Sequence, residues 1–113
     1  MDEIHLSLMK ALEAYPHASQ RELAHILGVS LGKAHYCLRA LVDKGWVKVR
    51  NFRANPNKLG YMHLLTPKGV EAKAALTVDF LRRKQAEYQV LRAEIEALQS
   101  ELRSGDDSDG RHI

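Results

Sequence analysis

The chain leaves only Gly28-Val29-Ser30 between two stretches with helical spacing of apolar residues, and so short a link forces two helices to turn sharply on one another. The first of the pair opens at Ser19, three residues before Glu22, a spacing in which each side chain can satisfy the other's free backbone amide. It runs from Gln20 to Leu27 and buries Leu23, Ala24, Ile26 and Leu27. Gly28 suits the left-handed conformation that ends a helix, and Ser30 offers an oxygen to cap the next. That third helix covers Leu31 to Lys44 and is closed by Gly45. Ala34, Cys37, Leu38 and Leu41 share one face, while Gly32, Lys33, His35, Tyr36 and Arg39 fall largely on the other. The pair is therefore a helix-turn-helix whose second member carries a packed face and a basic, polar face.

The surroundings extend the pattern. Ile4, Leu8, Ala11 and Leu12 predict a helix from Asp2 to Ala14, stopped at Tyr15-Pro16. After Gly45, the β-formers from Trp46 to Phe52 and from Tyr61 to Leu65 predict a hairpin with a long tip from Asn51 to Gly60. Thr66-Pro67 is a cap followed by proline at the first helical position, and the helical pattern continues to about Leu102. The expected fold is mainly α with a small β-hairpin, a winged helix-turn-helix followed by a long carboxy-terminal dimerisation helix. Its domains are a binding domain over residues 1–66, a coiled-coil-like helix over 67–103, and a disordered tail over 104–113, which is rich in Gly, Asp and Ser.

Charge points to the partner. The formal net charge is +3, but from Leu23 to Val70 the only acid is Asp43, against Lys33, Arg39, Lys44, Lys48, Arg50, Arg53, Lys58 and Lys68. A locally basic block on a helix-turn-helix predicts double-stranded DNA, because phosphate answers to local positive potential rather than to net charge. Base edges are expected to be read by Leu31, Gly32, His35, Tyr36 and Arg39. Phosphates are expected at Ser30 and Lys33, and along the wing at Arg50, Arg53, Asn55 and Lys58. The competing reading is a winged helix used as a protein-interaction module, its basic face meeting an acidic partner. RNA is a weaker third, since single-strand readers display stacked aromatics on a sheet and only Phe52 and Tyr61 are placed to serve.

Leu81, Tyr88, Ile95 and Leu102 lie seven apart, with Leu91 and Leu98 three residues after Tyr88 and Ile95. That is a short heptad seam, which needs a partner to cover it; a second copy of the chain predicts a homodimer, and the alternative is that the helix folds back on its own domain. No apolar run approaches the roughly 20 residues that cross a bilayer, and Asp2 and Glu3 stand where a secretory signal has basic residues, so a cytoplasmic protein is expected. The 6 His are scattered without metal-ligand spacing, Cys37 sits on the packed side, and there is no nucleophile pattern or phosphate-binding glycine loop. These features predict no enzyme, no metal and no cofactor, and they assign no small-molecule effector.

The segments Ser19-Gln20-Arg21-Glu22-Leu23-Ala24, Gly28-Val29-Ser30-Leu31-Gly32-Lys33, Leu41-Val42-Asp43-Lys44-Gly45-Trp46-Val47-Lys48 and Leu64-Leu65-Thr66-Pro67-Lys68-Gly69 resemble the MarR class of winged-helix regulators. The resemblance covers about Leu6 to Ala86 and is nearest to the small subgroup associated with exopolysaccharide biosynthesis genes. It implies a homodimer on a pseudo-palindromic operator. Asn55-Pro56-Asn57-Lys58 departs from the Asp-x-Arg wing pattern of the class, and the chain is short for its helical dimerisation domain. Its detailed wing contacts and phenolic-ligand pocket are therefore not implied.

Overall fold

The computed structural model describes residues 2–55 and 58–111, with side chains described for 2–51 and 60–105. The order of elements is α1 (Glu3–Ala14), α2 (Gln20–Leu27), α3 (Leu31–Asp43), β1 (Val47–Asn55), β2 (Lys58–Leu65) and α4 (Pro67–Arg111). This is the winged helix-turn-helix architecture with a long last helix.

Local chemistry fixes each helix end. Asp2 caps α1, its Oδ1 accepting from the His5 amide at 3.4 Å and lying 2.7 Å from His5 Nδ1. Ser19 and Glu22 form the reciprocal capping box of α2, at 3.1 and 3.3 Å. Gly28 adopts φ 67°, and the amides of Gly28 and Val29 turn back to the carbonyls of His25 and Ala24. The end of α3 repeats this closure: Gly45 has φ 76°, and the amides of Gly45 and Trp46 reach the carbonyls of Val42 and Leu41. Both turns are Schellman motifs, in which a left-handed residue satisfies two orphan carbonyls at once.

Three helices and the base of the hairpin enclose the core. Leu8, Met9 and Leu12 of α1 meet Leu23 of α2, Cys37, Leu38 and Leu41 of α3, and Val47 of β1. Ile26, expected among the buried residues, is 47% exposed. An eight-residue helix presents a narrow inner face, and Leu23 and Ala24 occupy it.

The hairpin is longer and its tip shorter than the sequence indicated. Antiparallel pairing runs from Val47↔Leu65 through Arg50↔Met62 and Phe52↔Gly60 to Asn55↔Lys58, with an irregularity between Arg53 and Asn55. Pairing is a backbone property, so a ladder started by strong β-formers extends through Asn51 and Gly60 despite their low strand preference.

The start of α4 belongs to the winged unit. The compact unit spans Met1–Val78, a boundary well beyond the expected residue 66, because Ala72 and Leu76 pack on the core and Lys73 forms an ion pair with Glu13 of α1. The second unit is Asp79–Ile113. Helical backbone continues to Arg111, beyond the Leu102 at which the helical pattern of the sequence was expected to end. Extending an existing helix needs no new nucleus, which offsets the poor propensity of Gly105 and Gly110. The last two residues of the tail expected over 104–113, 112–113, lie outside the described residues.

Two glycines of these helices respond to a methyl group in opposite directions. A Cβ on Gly69 would lie 2.0 Å from the Trp46 carbonyl oxygen, whereas one on Gly32 meets nothing within 4 Å. Gly69→Ala is expected to lower stability by about 1–3 kcal/mol through overpacking. Gly32→Ala is expected to raise it by about 0.5–1 kcal/mol through helix propensity. Urea denaturation of the two variants reads both signs.

His63 generates a pH dependence. It is 7% exposed, and its Nδ1 makes no hydrogen bond to another described group. Burial lowers its pKa below the ordinary 6.5. Below 6.5 the unfolded chain therefore takes up a proton that the folded chain refuses, and stability falls as pH drops from 6.5 towards the folded pKa. In denaturation midpoints measured between pH 7 and pH 5, His63→Phe should flatten this part of the dependence; an unchanged slope refutes the assignment.

Candidate nucleic-acid interface

Ser30 sets the start of α3: its hydroxyl oxygen accepts from the Lys33 amide at 3.1 Å. From there the helical advance of 100° per residue places Ala34, Cys37, Leu38 and Leu41 inward, where all are buried. The same advance puts Gly32, Tyr36 and Arg39 at the centre of the opposite face, flanked by Lys33. Tyr36 is 68% exposed, and open space stands over Gly32. Leu31, 43% exposed, completes the first turn. α2 braces the helix from behind through Leu23 and Ala24, so its outer face is presented on a rigid support.

The polar groups of this face hold one another. Lys33 Nζ stands 5.9 Å from the centroid of the Tyr36 ring. Arg39 Nε is 3.5 Å from Asp43 Oδ1, both side chains mostly exposed. Asp43 is the only acid between Leu23 and Val70, and it lies on α3 itself. His35 Nδ1 is 2.8 Å from Gln20 Oε1. Gln20 was not among the expected site residues, although its position at the first helical residue after the Ser19 cap was legible. A cleft of about 300 Å³ opens here, lined by Gln20, His35, Arg39, Val49 and His63 among others.

The wing divides by strand alternation. Val49 and His63 are cross-strand partners and line the cleft beside α3. Lys48 and Arg50 line a different groove, with Leu12, Glu13 and Pro16. Arg50 is thus not brought together with the exposed face of α3, because residues two apart share a strand face and Arg50 shares that of Lys48 rather than of Val49. Arg53, Asn55 and Lys58 occupy the last rungs of the ladder, Arg53 opposite Leu59 and Asn55 opposite Lys58. Their side chains, and all of Pro56 and Asn57, lie outside the described residues.

Cys37 is fully buried, and desolvation pushes its thiol pKa up, away from the reactive thiolate. Among the described residues no three His, Cys, Asp or Glu side chains form a group that could hold a metal ion. No described helix is long and apolar enough to cross a membrane.

Of the expected seam, Leu81, Tyr88, Leu91, Ile95, Leu98 and Leu102 are each between 47% and 72% exposed in the single chain.

Comparison with known proteins agrees with this geometry. Residues 1–48 match the family model described as winged helix-turn-helix DNA-binding. No curated protein matches the sequence. Among solved structures, the PcaV transcriptional regulator of Streptomyces coelicolor, in complex with its natural ligand, superposes with a TM-score of 0.66 at 21% identity, over 90% of this chain and 71% of that one. The Staphylococcus aureus MepR–DNA complex gives 0.58 at 19% identity, over 90% and 81%. Staphylococcus aureus MarR, in complex with salicylate and kanamycin, gives 0.58 at 20% identity over 76% of this chain, which spans 56% of that protein's length. What is shared at these identities is the fold, and the fold of this chain is that of the MarR-type winged-helix proteins.

Proposed function

We propose that this protein is a sequence-specific, double-stranded DNA-binding regulator of transcription that acts in the cytoplasm as a homodimer. The observation that carries the reading is the outer face of α3. Gly32, Tyr36 and Arg39 stand exposed on a helix whose inner face is fully packed, within a stretch that holds eight Lys and Arg and one acid. A helix reads the major groove when a partner braces it and its side chains reach base edges.

In this reading Leu31, Gly32, His35, Tyr36 and Arg39 face base edges. Open space over Gly32 lets a base or sugar approach the backbone closely. Ser30 and Lys33 hold phosphate. The Ser30 hydroxyl oxygen accepts from the Lys33 amide, and its own proton is free for a phosphate oxygen. Arg50, Arg53, Asn55 and Lys58 serve the flanking backbone along the wing. The winged unit binds, and the helix beyond it pairs with a second copy through Leu81, Tyr88, Leu91, Ile95, Leu98 and Leu102. Sequence resemblance to the exopolysaccharide-associated subgroup supports genes of exopolysaccharide synthesis as the finer target. The MepR–DNA complex supports the mode of binding.

Duplex affinity measured against salt tests the reading. With about six phosphates neutralised per dimer, affinity should fall roughly a thousandfold between 50 and 200 mM salt. Failure to bind duplex with such a slope favours the protein-interaction module instead. Among variants, Lys33→Ala should weaken all duplexes alike and lower the slope by about two, one phosphate contact being lost from each protomer. Arg39→Ala should cost about 1–3 kcal/mol on the preferred sequence and relax the preference at particular base pairs. Competition among randomised duplexes in which Arg39→Ala leaves the preference unchanged removes that residue from the reading set.

A further inference from the structure

The homodimer of the preceding reading leaves the direction of the paired helices open, and the charges beside the seam decide it. With Tyr88, Ile95 and Leu102 at heptad position a, Leu91 and Leu98 fall at d. These side chains form an unbroken exposed apolar stripe on α4 within the second unit. An Ile at a with Leu at d favours two strands over three.

The flanks are unequal. Glu87, Glu94 and Glu101 occupy the three successive g positions, and Gln85, Arg92 and Gln99 occupy e. All six are exposed. In an antiparallel pair g faces g and e faces e, so any overlapping register sets glutamate against glutamate. In a parallel pair g faces the e position five residues on in the other strand, which sets Glu87 against Arg92 twice, once on each side, and Glu94 against Gln99. Within one chain Glu87 has only an exposed ion pair with Lys84 at 3.3 Å, and Arg92 only one with Glu96 at 3.2 Å; both are free to be shared. Lys84, at the d position before Tyr88, ends the apolar seam on that side.

We propose that residues 88–102 of two copies of this chain pair as a parallel, in-register, two-stranded coiled coil, with the glutamate edge excluding the antiparallel alternative. The proposal rests on the homodimer reading above and adds the orientation. Like charges placed opposite one another are a common device for rejecting a wrong pairing.

Cross-linking of the full chain tests the orientation. Tyr88 and Leu102 are about 21 Å apart along a helix, so an antiparallel pair can bring only one of those positions next to itself. Under mild oxidation, Tyr88→Cys alone and Leu102→Cys alone should each yield a disulfide-linked dimer. The parent chain is the control, its single Cys37 being fully buried. Cross-links that appear only when the two variants are mixed overturn the proposal. So does a monomeric parent in sedimentation at concentrations above those used for DNA binding.

Charge reversal supplies a second readout. Glu87→Arg should weaken dimerisation by roughly three- to tenfold, with Arg92→Glu restoring it; an antiparallel pair predicts tighter association instead. Duplex binding measured on the same samples separates the two readings. A monomer that binds duplex with a steep salt slope overturns the coiled coil and leaves DNA recognition standing. A parallel dimer without duplex affinity does the reverse.

Discussion

The backbone of Gly45 and Trp46 is the point on which the fold depends. The Trp46 amide ends α3 by donating to Leu41, and the Trp46 carbonyl accepts from the Thr66 amide, closing the base of the hairpin. The Thr66 hydroxyl donates to the Gly45 carbonyl at 2.6 Å and accepts from the Gly69 amide at 3.0 Å, so the residue that caps α4 is also tied to the end of α3. Gly69 completes the junction by lacking a side chain where the Trp46 carbonyl oxygen rests. One short stretch of backbone thereby sets where α3 stops, where the hairpin starts and where α4 begins. Backbone carbonyls need partners, and those of Gly45 and Trp46 both find theirs in Thr66, the residue between β2 and α4.

Much of this was legible in the sequence because it rests on local chemistry. Ser19, Ser30, Gly28 and Gly45 mark helix ends through interactions within a few residues, and α2 and α3 fall close to where those signals put them. The inner face of α3 followed from periodicity alone. What escaped the sequence depended on partners distant in the chain. The tip of the hairpin was drawn too wide because Asn and Gly argue against strand, whereas pairing across the ladder is decided by the opposite strand. Ile26 was assigned to the core because its neighbours in sequence are apolar, and nothing local reveals that Leu23 and Ala24 already fill the space.

The site was legible to a similar depth. Exposure of Gly32, Tyr36 and Arg39 followed from the packed face, and strand alternation was available to show that Arg50 sides with Lys48. The bond from Gln20 to His35 was not, since it joins side chains fifteen residues apart across the turn. The junction motif Leu-Thr-Pro-Lys-Gly was legible as a resemblance, and the structure supplies its physical reason. Threonine is needed for two hydrogen bonds, proline for the first turn of a helix, and glycine for clearance under a carbonyl.

The ion pair between Arg39 and Asp43 has a consequence for how a surface of this kind would search. A guanidinium already facing a carboxylate has a resident competitor, so any incoming group must outbid that decoy before it gains anything. A single phosphate oxygen offers little advantage over a carboxylate oxygen. A base edge that takes two hydrogen bonds in the plane of the guanidinium offers considerably more. On the proposed DNA-binding reading, the acid would thus damp casual adhesion along the wrong sequences while costing little at the right one, and the protein would move on from most of the DNA it met.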